Sequence, residues 1–145
     1  MKRFQFQLAT ALDWRKRRME TEQARLDELL ARQAGLQRML EDTARDRARS
    51  GEELLRATTI EAEDLAALDA YRRALDVQKR RLERELAAVA EAIGRQRQLV
   101  MATMRDYRLM EKLKDRRLEE WRKQFERELE NEATELYLAK RGRTG

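Results

Sequence analysis

Carboxylates and basic groups are the reactive side chains this sequence carries in quantity. Twenty-eight Asp and Glu stand against 33 Lys and Arg, with no histidine and no cysteine. Paired carboxylates do acid–base work when their surroundings push their pKa values apart. Here they are spread along stretches that alternate with arginines, a pattern suited to ion pairing on solvated helix faces. The missing imidazole and thiolate remove the commonest general base and the commonest zinc ligands. No glycine-rich phosphate loop is present either. The sequence therefore predicts no catalytic residue, no metal site and no cofactor, and the chain is expected not to be an enzyme. Its densest basic run, Arg15-Lys16-Arg17-Arg18, has the charge to meet phosphates or lipid headgroups. A nucleic-acid surface segregates such charge along one stripe, whereas Glu and Asp occur throughout this chain. The run reads as a solvated face, and no nucleic-acid binding is expected.

Composition says which elements hold these residues. The 145 residues include no proline and only 5 glycines, and 42% are charged. Proline breaks helix interiors and glycine weakens them. Such a composition, with a helical period, marks long helices and coiled coils. No stretch reaches the length of apolar sequence needed to span a bilayer, and no apolar signal segment opens the chain. The absence of cysteine excludes a disulfide framework. A cytoplasmic location is expected.

Two heptad seams organise the chain. In the first, positions 12, 19, 26, 33, 40, 47 and 54 read Leu, Met, Leu, Gln, Leu, Arg, Leu, and positions 8, 15, 22, 29, 36, 43 and 50 read Leu, Arg, Glu, Leu, Leu, Thr, Ser. In the second, positions 65, 72, 79, 86, 93, 100 and 107 read Leu, Arg, Lys, Leu, Ile, Val, Tyr, and positions 68, 75, 82, 89, 96, 103 and 110 read Leu, Leu, Leu, Val, Gln, Thr, Met. Polar residues in such a seam weaken packing and fix register. Between the seams, Thr58 with Glu61 three residues on fits a capping box. The sequence predicts an all-α single domain: a helix over 5–56, a connection at 57–59, a longer helix over 60–139 and a flexible tail at 140–145. The helices should fold back as an antiparallel coiled-coil hairpin, with Leu8 opposite the Tyr107–Leu109 region.

The second helix then outruns the first. Past Tyr107 the apolar stripe changes phase and continues through Leu118, Trp121, Phe125, Leu129 and Leu136, with Tyr137 beside it. Nothing in the first helix reaches far enough to cover it. Trp121 and Phe125 on a bare stripe point to a partner contact, against the alternative of packing in a dimer. Phe4 and Phe6 precede the first seam, as a frayed or stapled terminus or as part of the same contact. Trp14 falls off the seam.

The opening Phe4-Gln5-Phe6-Gln7-Leu8, followed by Leu12 and Arg15, resembles the start of the flagellar type III export protein FliJ family. Met110-Glu111-Lys112-Leu113-Lys114 is similar to a Leu-Glu-Lys-Leu-Lys segment of that family, and Tyr71, Leu75 and Gln78 resemble its central segment. Asn131-Glu132-Ala133-Thr134 resembles a C-terminal Asp-Glu-x-Ala motif, with asparagine in place of aspartate. The resemblance implies a soluble, stalk-like antiparallel coiled coil of the export apparatus. It implies three partners: a hexameric export ATPase, the cytoplasmic domain of the export gate membrane protein, and export substrate chaperones. The chain would lie at the cytoplasmic membrane through partners only, and be a monomer in isolation. The expected partner-binding residues are Phe4, Phe6, Leu8, Tyr71, Leu75, Leu118, Trp121, Phe125, Leu129, Leu136 and Tyr137. The alternatives are the homologous stalk component of a virulence-type secretion system, or a basic coiled-coil scaffold for membrane or nucleic acid.

Overall fold

The structure, a computed structural model, describes residues 3–144. Three helices follow in order: α1 Ala9–Arg49, α2 Glu52–Arg56 and α3 Ala62–Thr144. No strand occurs among the described residues. The two long helices, of 41 and 83 residues, pair as an antiparallel hairpin whose second arm is the longer. Two compact units divide it: Glu22–Val100, which contains the turn, and a second that joins the chain up to Thr21 with the chain from Met101 onward.

The heptad seams are the buried faces. In the turn-containing unit α1 buries Leu26 and Leu36, and α3 buries Leu75, Leu82, Val89, Ile93 and Val100. Every one is a seam position. The polar interruptions find each other across this seam. Gln96 donates to both the backbone carbonyl and the carboxylate of Glu22, at 2.9 and 2.7 Å. Arg25 donates to the same carboxylate at 2.9 Å. Arg72 Nε donates to the Ser50 hydroxyl at 2.9 Å. Thr43, also buried, turns its hydroxyl back to the Met39 carbonyl. Among the described residues no buried side-chain polar atom lacks a hydrogen-bond partner. Polar groups thus meet polar groups only in one register, which is how they set it.

The turn differs from the sequence expectation in place and in chemistry. A helix was expected to run from 5 to 56, but α1 begins at Ala9 and ends at Arg49. Ser50 donates its hydroxyl and its N–H to the Arg47 carbonyl, closing α1 where Gly51 follows. A one-turn helix, Glu52–Arg56, intervenes before an extended Ala57. The cap also moves three residues along the chain. Glu61, not Thr58, sits at the start of α3, its carbonyl accepting from Asp64 and Leu65 while its N–H donates to the Asp64 carboxylate. The cross-helix pairs Glu22–Gln96, Arg15–Asp106 and Ser50–Arg72 each place the α3 residue a few positions later than the expected register. At its other end α3 stays helical through Thr144, where a flexible tail from 140 was expected; residue 145 lies outside the described residues.

Near the turn Arg47 and Asp76 form an ion pair at 2.7 Å. The hydrogen bond from Arg47 holds the Asp76 carboxyl below its usual range, and Asp76 in return raises the Arg47 guanidinium. A lowered carboxyl contributes stability that is full above its ordinary pKa and is lost as pH falls through the lowered value. Both side chains are half exposed, so the contribution is small.

Gly94 lies in the middle of α3, and a Cβ built there meets nothing within 4 Å. Alanine at this position removes glycine's helix penalty without a clash. Gly94→Ala is expected to raise stability by about 0.5–1 kcal/mol, read as a higher urea midpoint with an unchanged slope.

Candidate partner-binding surface

The unit that holds the two chain ends has a thinner core. Thr103 is its buried residue, and Leu12, Met19, Tyr107, Met110, Leu113 and Leu118 are half-buried. Arg15 occupies a seam position and reaches Asp106 at 3.1 Å. The basic run is consumed locally. Arg17 pairs with Asp13 at 3.0 Å, and Arg15 and Arg18 lie over the Trp14 ring at 5.2 and 5.5 Å. The structure thus gives this run a solvated, internally paired face.

Beyond it an aromatic cluster forms. Trp121 and Phe125 are one helical turn apart and stack, with ring centroids 5.4 Å apart and planes 9° apart. Phe4 lies against Trp121 at 5.9 Å in a tilted arrangement. Phe4 and Phe6 sit in a non-helical segment whose end is fixed by the Ala9 N–H donating to the Phe6 carbonyl. Alternation sends both to the same side of such a segment, and both are half-buried.

These contacts correct part of the sequence reading. The stripe was expected to be wholly uncovered, but Leu118, Trp121 and Phe125 are half-buried, because the shifted register brings Phe4 onto Trp121. The bare part starts later. Every residue from 126 to 144 is exposed, including Leu129 at 49%, Leu136 at 71% and Tyr137 at 63%. Leu8 is 39% exposed and its carbonyl accepts the Leu12 N–H. Phe4, Phe6, Leu8, Leu118, Trp121, Phe125, Leu129, Leu136 and Tyr137 therefore share one unit.

Tyr71 and Leu75 belong to the other unit. Tyr71 is 48% exposed and available to a partner, whereas Leu75 is buried in the seam. Sequence reasoning passed over Met101 and Leu109, which are among the more exposed apolar side chains of α3. The available signal was their position: both fall off the a/d seam, where an apolar residue has no packing role.

Among the described residues no three acidic side chains are grouped to hold a metal ion, and no helix is long and apolar enough to cross a membrane. What the arrangement offers is an apolar helix face, rooted in an aromatic cluster, on a helix with no partner alongside. No family model, curated protein or solved structure matches the chain.

Proposed function

We propose that this chain is a non-catalytic, stalk-like component of the flagellar type III export apparatus. It acts in the cytoplasm, binds the hexameric export ATPase ring, and links the ring to the export gate and substrate chaperones. The observation that carries this reading is the free end of α3. Leu129, Leu136 and Tyr137 stand exposed on an unpaired helix, next to the cluster of Phe4, Trp121 and Phe125. Apolar side chains concentrated on one exposed element mark contact sites. A single projecting helix fits the central opening of a ring. The ordered motifs from Phe4 to Asn131 resemble those of the FliJ family, which favours the export ATPase as that ring.

The test is Leu129→Ser with Leu136→Ser in the full chain. Both side chains are exposed, so helicity and melting temperature should stay within about 0.5 kcal/mol of the parent. Co-elution with the export ATPase, and any stimulation of its hydrolysis, should be lost. Normal binding and stimulation by a stable double variant would remove the free end of α3 from the ATPase contact.

A further inference from the structure

Two surfaces of this unit complement each other, and neither has a partner within the chain. The first is a trough on α3 lined by Met101, Met104, Arg105, Arg108, Leu109 and Lys112. Met101 and Leu109 are 55% and 60% exposed, and the three cations reach no carboxylate among the described residues. The second is the stretch 126–136 of the same helix, where Glu126, Glu128, Glu130, Glu132 and Glu135 outnumber the single cation Arg127 around Leu129 and Leu136. None of these five carboxylates is ion-paired either. The helix is uninterrupted between the two surfaces, so it cannot fold back to bring them together within one molecule.

We propose that the chain forms a reversible antiparallel dimer through α3, in which the Met101–Lys112 trough of one copy receives the 126–136 segment of the other. Antiparallel docking makes both contacts at once about a two-fold axis near the middle of the pair, the self-complementary arrangement of an isologous interface. Methionine side chains adapt to the ridge of an incoming helix, and leucines at helical spacing supply the anchors for helix-in-groove binding. Opposite charges on the two rims fix the direction and exclude a parallel pairing, which would set cations on cations and carboxylates on carboxylates. An anionic membrane is a poorer occupant of the trough. It needs a broad apolar face, and the exposed apolar side chains of the trough, Met101 and Leu109, are too few to make one. The dimer buries Leu129 and Leu136, so it competes with any partner that uses that stripe.

Sedimentation velocity on the full chain, from low to high micromolar concentration, tests this. A monomer–dimer equilibrium that weakens with added salt is expected. Arg105→Glu, Arg108→Glu and Lys112→Glu together should weaken it at least about tenfold, and so should Glu126→Lys, Glu128→Lys and Glu132→Lys together. All six side chains are exposed, so circular dichroism should be unchanged. Mixing the two triple variants should restore dimers, because each then offers the charge the other lacks. A monomer at every concentration, a dimer indifferent to both reversals, or failure of the mixture to associate would each overturn the proposal. Preferential binding of the parent to vesicles of phosphatidylcholine and phosphatidylglycerol, without dimers, would overturn it in favour of a lipid surface.

Discussion

Leu82→Ala is expected to lower the unfolding free energy by about 2–5 kcal/mol. Leu82 is 1% exposed, the most deeply buried large side chain among the described residues. It sits midway along the α3 seam between Leu75 and Val89, which are also buried. Removing three carbons from a closed layer loses their transfer free energy and leaves a cavity that helices held by neighbouring layers can only partly close. In a protein whose total stability lies near 5–15 kcal/mol, a loss of this size is a large share of the whole. Urea unfolding followed by circular dichroism measures it. Val77→Ala serves as the control: Val77 is 56% exposed on the same helix, and its loss should cost no more than about 0.5 kcal/mol. Equal effects from the two variants would mean that the heptad seam is not the core.

The second large effect concerns Glu22 and Gln96, and it has two signs. Gln96→Leu alone leaves one Glu22 oxygen without its partner in a buried site and should cost about 1–3 kcal/mol. Glu22→Leu alone removes one of the two acceptors of the Gln96 amide, which keeps the residue-22 backbone carbonyl, and should cost less, about 0.5–1.5 kcal/mol. Replacing both with leucine fills the layer with apolar groups and leaves nothing unpaired. Exchanging a buried polar cluster for hydrophobic side chains is often neutral or stabilising by about 1–4 kcal/mol. The double variant should therefore be at least as stable as the parent, although each single variant is weaker. Its expected penalty is in specificity, because the apolar layer accepts neighbouring registers that the polar pair forbids. Disulfide trapping between cysteines placed along the two helices reads this out: one register in the parent, several in the double variant. A double variant weaker than both singles would mean that the pair contributes stability and not register.

The seams were legible because burial in a two-helix layer follows a strict period. Leu26, Leu36, Leu82, Ile93 and Val100 could be assigned to the interior by counting alone. The turn was less legible. Thr58 and Glu61 have the right residue types for a capping box, yet Asp64 can do for Glu61 what Glu61 can do for Thr58, and local sequence does not rank the two. The register across the two helices is displaced by a few residues as well, and nothing local at the turn specifies that shift. It explains why Trp121 seemed bare from the sequence, whereas Phe4 covers it. Which polar seam residues meet is likewise invisible without the register, so Glu22 and Gln96 read as separate defects and not as one layer. The trough between Met101 and Lys112 escaped notice because attention to the seam discards whatever lies off it.

The distribution of the buried residues along the chain carries a consequence for biosynthesis. Among the described residues all seven buried apolar side chains lie within Glu22–Val100. The cross-helix bonds there link positions as little as 22 residues apart at Ser50 and Arg72, against 91 for Arg15 and Asp106. Closing the longer loop costs only about 1 kcal/mol more by the logarithmic rule, so waiting time dominates. At roughly 5–20 residues per second, Arg15 is added to the chain about 5–18 s before Asp106, 91 residues later. During that interval the first helix lacks its partner. Contacts at the turn become available once Arg72 is made, whereas Phe4 must wait for Trp121, so the aromatic cluster is the last of these contacts to become available and the first to be lost when the chain is cut short.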